Sequence, residues 1–122
     1  EARDVVVLED GKIVVVGMAY PGAFLALLAA NGTELNVVRR PLLAPFASAV
    51  RVDDCIAAAG GSAIQFLAPD LSQRSSLASD GWLRSVSADA TTLHAVGWLN
   101  GGRTTPLYKA WPRRVSWCTK GP

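Results

Sequence analysis

The stretch LEDGKIVVVG, from Leu8 to Gly17, decides the fold of this chain. A charged turn at Glu9-Asp10-Gly11 is followed by mostly β-branched residues that continue to the glycine. β-branched side chains favour strands, and a glycine near the end of a strand permits a bend or the close approach of another backbone. The stretch therefore predicts a hairpin turn and the second strand of that hairpin.

The same pattern returns twice downstream. VRVDDCIAAAGG has its acidic turn at Asp53-Asp54 and reaches Gly60. RSVSADATTLHAVGW has Asp89 at the turn and reaches Gly97. A branched aliphatic residue stands four positions before each repeat glycine: Ile13, Ile56 and Leu93. The three glycines are 43 and 37 residues apart, which indicates a structural repeat.

Each unit contains the signals of four strands. One strand leads into the acidic turn, a second ends at the repeat glycine, and a third ends at turn residues. A more polar fourth strand is predicted in TELNVVR, SQRSSLA and RVSWCTK. Apolar residues at helical spacing are not sustained, so helical repeats are disfavoured.

Small four-stranded sheets at this period are typical of β-propeller blades. We therefore predict an all-β chain of three four-stranded antiparallel β-propeller-type blades. The repeats cover approximately residues 4–46, 47–82 and 83–122 of a single domain, 1–122. The alternative with the same strands is a β-sandwich or a small barrel.

The first unit also resembles a known family. LEDGKIVVVG followed by AFLALLAANGTELN is similar to bacterial β-propeller-like repeats with a D-G-K-I-V-V-x-G core. The match covers residues 4–36 and is looser in the later units, which have Asp54-Cys55 and Ala90-Thr91 at the turn. The resemblance implies blades of secreted or surface-associated propellers, with no shared catalytic residues.

Composition excludes several function classes. The 122 residues include 12 basic and 10 acidic side chains, a net charge of +2 that is too small for a nucleic-acid-binding surface. No apolar run approaches the roughly 18 residues that a membrane span needs. With two cysteines and one histidine, the chain lacks the ligands of a zinc site, and we predict no metal, no cofactor and no catalytic site.

The two cysteines leave two possibilities open. Cys55 and Cys118 either form a disulfide in an oxidising compartment or remain as buried thiols. The chain begins with Glu1, which is consistent with processing, truncation or a removed export signal. We expect a secreted, cell-surface or periplasmic protein.

Three blades would leave apolar faces exposed at both ends, because single-ring propellers have about four to eight blades. The sequence therefore predicts a protein partner, either a second copy or a different subunit. The corresponding function is a non-catalytic binding module whose ring another chain completes. The alternative is a subunit or processed fragment of a larger propeller-containing enzyme whose catalytic residues lie elsewhere.

Ligand binding is predicted at the loop after the third repeat glycine. Trp98 leads into LNGGRTT, where Asn100, Arg103 and Thr104 have side chains that hydrogen-bond hydroxyl or acidic groups. An indole face stacks on sugar C–H groups, so carbohydrate is the small-molecule ligand that this segment suggests. The competing interpretation of Trp98 is packing between blades.

Overall fold

The computed structural model describes residues 1–99 and 105–119. Within them the chain forms antiparallel β-strands and one short 3-10 helix, Val115–Trp117. The strands are β1 (Ala2–Val7), β2 (Ile13–Ala19), β3 (Gly22–Leu28), β4 (Glu34–Arg40), β5 (Ser48–Val52), β6 (Cys55–Gly60), β7 (Ala63–Leu67), β8 (Gln73–Ala78), β9 (Trp82–Ala88), β10 (Thr92–Trp98) and β11 (Pro106–Pro112).

The strands form three consecutive sheets, each ordered as in the sequence. Blade 1 is β1-β2-β3-β4, blade 2 is β5-β6-β7-β8, and blade 3 is β9-β10-β11. The first strands lie next to one another, because β5 contacts both β1 and β9. The prediction of an all-β chain with three antiparallel sheets is confirmed.

The predicted fourth strand of blade 3 is wrong for the described part of RVSWCTK. Val115–Trp117 forms the 3-10 helix instead of a strand beside β11. The Trp117 ring stacks on Phe66 of blade 2, with ring centroids 4.7 Å apart and planes at 17°. Cys118 is joined to Cys55 at the start of β6. These contacts direct the segment toward blade 2 and away from the edge of its own sheet.

The repeat glycines occupy equivalent places in the three sheets. A Cβ atom on Gly17, Gly60 or Gly97 would collide with a main-chain carbonyl oxygen at or just before the start of the first strand of the same blade. The residues that carry those oxygens are Glu1, Pro45 and Trp82. The glycine is therefore required because another backbone crosses it.

Alternation along the second strands assigns the two faces of each blade. In blade 2, Ile56 and Ala58 belong to the core shared with blade 1, whereas Ala57 and Ala59 belong to the core shared with blade 3. We call the face with residues four and two positions before the repeat glycine the leading face. The opposite face, with residues three and one positions before it, is the trailing face.

Both internal seams join a trailing face to the leading face of the next blade. Members of the first core are Val6, Leu8, Val14, Val16, Ala23, Leu25, Phe46, Ala49, Ile56, Ala58, Leu67 and Leu71. Members of the second core are Val52, Cys55, Ala57, Ala59, Ile64, Phe66, Leu83, Val86, Leu93, Ala95, Leu107 and Trp117. Blade 2 is thus covered on both faces, whereas the described residues leave one face of each end blade open.

Candidate functional site

The open leading face of blade 1 is mostly apolar. Pairing places one row of side chains across all four strands, and its members are Val5, Val15, Ala26 and Val37. A second row contains Val7, Ile13, Leu28 and, on the outer strand, Glu34. The other charged residue of the outer strand on this face is Arg39, opposite Phe24. Val5 is 55% exposed and Val7 is 61% exposed. An antiparallel sheet that faces water normally carries polar residues on that side, so this face has the chemistry of a buried surface.

The open trailing face of blade 3 is more polar. Its first row is Ser85, Val96 and Tyr108, and its second row is Ser87, His94 and Ala110. The residues of blades 1 and 2 that align with Tyr108 are Leu25 and Ile64, both fully buried in the cores. The two end faces of the chain therefore differ in chemistry.

A hydrogen-bonded network links three side chains of blade 3. His94 Nε2 lies 3.0 Å from Asp89 Oδ2, and His94 Nδ1 lies 2.7 Å from the Tyr108 hydroxyl. An ionised carboxylate only accepts, so Nε2 carries a proton toward Asp89. In neutral His94 the other nitrogen then accepts from the Tyr108 hydroxyl. The network satisfies both nitrogens of the imidazole.

Asp89 is held by the turn that it forms. Its Oδ1 accepts the main-chain N–H groups of Thr91 and Thr92 at 2.9 and 2.8 Å. The hydrogen bond from His94 and those from the turn lower the pKa of the Asp89 carboxyl below its ordinary value. The folded chain therefore favours the ionised carboxylate.

Asp89 should make stability depend on pH. Because its pKa is lower in the folded chain, its contribution is complete above the ordinary aspartate pKa of about 4 and declines as pH falls through the lower folded value. We expect Asp89→Asn to be less stable than wild type at neutral pH, with the difference shrinking in acid. Urea unfolding followed by tryptophan fluorescence across this pH range measures it.

The matched control is Asp54→Asn, which removes one carboxylate from the equivalent turn of blade 2. In Asp54→Asn the free energy of unfolding should still decrease in acid as it does in the wild type. A constant difference between wild type and Asp89→Asn at every pH would contradict the assigned role of the carboxylate.

Acidic turns gather at one edge of blades 1 and 2. A groove of about 190 Å³ is lined there by Leu8, Glu9, Asp10, Arg51, Asp53, Asp54 and Pro69. Small-molecule sites usually have volumes of about 300 Å³ or more, so this groove is small for such a ligand. Among the described residues no group of three or more His, Cys, Asp or Glu side chains is placed to bind a metal ion.

The segment after β11 fastens blade 3 to blade 2. Arg113 donates to Asp53 Oδ1 and to the Asp89 carbonyl oxygen, both at 2.6 Å. The Ser75 hydroxyl donates to the Trp117 carbonyl oxygen at 2.7 Å. The Cys55–Cys118 disulfide links the same two blades. An ion pair, a stacked aromatic pair and a covalent bond thus hold this seam.

The predicted ligand loop is described only in part. Trp98 ends β10, where it pairs with Trp82 and Pro106. Its Nε1 atom is buried and has no hydrogen-bond partner within residues 1–99 and 105–119. Asn100, Arg103 and Thr104 lie outside the described residues. The ligand site of these four residues stays a prediction.

Sequence reasoning missed the partners of His94. No signal in the sequence joins the three residues, because Asp89 and Tyr108 are five and fourteen positions from His94. Only the pairing of β10 with β11 brings Tyr108 near the imidazole. The available signal was a histidine three positions before a repeat glycine, where the other units have Val14 and Ala57.

Comparisons with known proteins show the fold. No protein-family model and no curated protein sequence matches the chain. The Neurospora crassa Pan2 WD40 domain matches 92% of this chain and 36% of its own, with 13% identity and a TM-score of 0.70. RRP9 WD40 repeats match 86% of this chain and 35% of theirs, with 8% identity and a TM-score of 0.63.

BamB from Moraxella catarrhalis is also similar, with 17% identity and a TM-score of 0.58 over 75% of this chain and 27% of its own. The chain thus spans between 27 and 36% of these three structures. These similarities and the three sheets define a β-propeller-type protein, and the predicted fold class is confirmed. Within the described residues there is no helix of the length and apolarity needed to cross a membrane.

Proposed function

We propose that the chain is a protein-interaction module made of propeller blades, and that an apolar sheet of another protein chain covers the leading face of blade 1. One observation carries the proposal: Val5, Val15, Ala26 and Val37 form an uninterrupted apolar row on a face that the described chain leaves open. In blades 2 and 3 the corresponding face is buried against the preceding blade. Structural similarity to other propellers, of which this chain spans about a third, agrees with a need for further blades.

Val15→Glu tests the proposed interaction face. Val15 lies in the centre of the apolar row, and a buried unpaired carboxylate would oppose any sheet packed on it. We expect the wild-type chain to self-associate with increasing concentration, because an exposed apolar face of this kind is adhesive. Val15→Glu should remain at the monomer mass of 12.8 kDa in sedimentation and native mass measurements.

The matched control is Val115→Glu, the same substitution at an 80% exposed valine of the 3-10 helix. It should associate as the wild type does, with all three chains showing the same circular dichroism spectrum. Equal masses for wild type and Val15→Glu at every concentration would rule out the leading face of blade 1 as an interaction surface.

The remaining functional expectations extend this proposal. We propose a secreted, cell-surface or periplasmic location, which the Cys55–Cys118 disulfide supports because such bonds persist in oxidising compartments. The repeat ranges 4–46, 47–82 and 83–122, and membership of the bacterial repeat family, belong to the same proposal. Carbohydrate binding by the Trp98 loop stays a prediction.

A further inference from the structure

A repeated hydrogen bond crosses both internal seams. The Ala49 N–H donates to Asp4 Oδ2 at 2.8 Å, from blade 2 to blade 1. The Val86 N–H donates to Ser48 Oγ at 3.1 Å, from blade 3 to blade 2. Each acceptor is a first-strand side chain, and each donor is a main-chain group in the first strand of the next blade. The same device therefore joins each pair of blades.

The acceptors occupy one repeat position. Asp4 pairs with Val16 and Ser48 pairs with Ala59, and in both cases the partner stands one position before the repeat glycine. The donors Ala49 and Val86 pair with the residues two positions before it. The hydrogen bond also explains why Ser48, a polar residue, is only 6% exposed.

Blade 3 presents the same acceptor, and within residues 1–99 and 105–119 no blade follows it. Ser85 pairs with Val96, one position before Gly97, and its side chain is exposed. The residue of blade 1 at the donor position is Val5, which pairs with Val15. In this chain the Val5 N–H donates to Oδ1 of the neighbouring Asp4 side chain at 2.8 Å, so an acceptor from another blade would replace or share that hydrogen bond. The two open ends thus carry the two halves of the hydrogen bond.

We propose that the trailing face of blade 3 binds the leading face of blade 1 of a second copy, with Ser85 Oγ accepting the second copy's Val5 N–H. This inference rests on the proposed function, because it names the partner of the blade 1 face. A two-fold axis generates both contacts at once and leaves neither end open. The product is a six-bladed ring, within the range of about four to eight blades of known propellers.

The polar network of blade 3 is compatible with burial in that seam. His94 and Tyr108 face the same side as Val96, and they hydrogen-bond to each other and to Asp89. A polar group that has a partner can be buried without losing a hydrogen bond. Val96 then meets Ile13 and Val15, as Val16 meets the apolar leading face of blade 2.

Ser85→Ala and Val96→Glu test the second copy. The wild type should form a dimer of twice the 12.8 kDa chain mass. Ser85→Ala removes the two symmetry-related hydrogen bonds and should weaken the dimer on the order of tenfold. Val96→Glu should abolish it, whereas Ser76→Ala, which replaces an exposed serine on the outer strand β8 of blade 2, should dimerise as the wild type does.

Mixing a Ser85→Cys variant with a Val5→Cys variant supplies a test that does not depend on a stability change. Oxidation should yield a covalent heterodimer, because the two positions face each other across the proposed seam. The proposed ring is wrong if no crosslink forms and if Ser85→Ala and Val96→Glu both dimerise as strongly as the wild type. If Val15→Glu prevents association but Ser85→Ala and Val96→Glu do not, the leading face of blade 1 is an interaction surface, but the proposed ring of two copies is wrong.

Discussion

The double variant Cys55→Ala/Cys118→Ala should unfold with a free energy about 4 kcal/mol lower than that of the oxidised wild type. The disulfide closes a loop of 63 residues, and breaking it frees the unfolded chain from that constraint. In the folded chain the double variant lacks the covalent link between blades 2 and 3, and the contacts of Arg113 and Trp117 remain at that seam. Urea unfolding followed by tryptophan fluorescence measures the change.

Reduced wild type is the matched control for this variant, because it also lacks the covalent link but keeps both cysteine side chains. Its unfolding midpoint should approach that of the double variant, and oxidised wild type should show no reactive thiols either before or after unfolding in urea. An unchanged midpoint after reduction would contradict the prediction, because it would mean that the disulfide does not constrain the unfolded chain.

Gly60→Ala should lower the free energy of unfolding by about 3 kcal/mol, the upper part of the range for an overpacked interior. A Cβ atom at this position would meet the Pro45 carbonyl oxygen and the Phe46 backbone. The clashing atoms belong to the main chain, and Phe46 is buried in the first core. The clash can therefore be removed only if the segment that leads into β5 moves. Chemical denaturation of the purified variant measures the effect.

Gly32→Ala is the control for Gly60→Ala. Gly32 has a φ of +89°, but no atom lies within 4 Å of the position of its Cβ. Its substitution should cost about 1 kcal/mol through backbone conformation alone. If the two variants were equally destabilised, the tight crossing at the repeat glycine would not be the reason for glycine there.

The repeat glycines show how much of the fold could be predicted from the sequence. LEDGKIVVVG and its two later copies predicted second strands that end near Gly17, Gly60 and Gly97, and those strands are β2, β6 and β10. The prediction succeeded because β-branched runs and tight turns are governed by local backbone preferences. The reason for the glycines was not visible, since the carbonyl oxygens that exclude a side chain come from residues 15 to 16 positions earlier.

RVSWCTK shows where local preference failed. Its alternating Val115, Trp117 and polar neighbours favour a strand, yet the described part forms a 3-10 helix. Stacking of Trp117 on Phe66 and the bond from Cys118 to Cys55 outweigh the strand preference. Both partners are more than fifty residues away in the sequence, so no local pattern contains this information.

The candidate interaction surfaces could likewise be predicted only in part from the sequence. The number of repeats already predicted a partner, because three blades are fewer than the four to eight or so of known single rings. The equivalence of Asp4, Ser48 and Ser85 depends on strand register, because the three side chains are not identical and a single-residue slip would turn them to the opposite face.

The sequence by itself determined the strands, their turns and the repeat, because these follow from backbone preference and from the period-two pattern of side chains. Only the tertiary structure decided which face of each sheet meets the next blade, where the segment after β11 packs, and which polar groups cross the seams. Those features depend on contacts between residues far apart in the chain, and such contacts form only when the sheets are packed together.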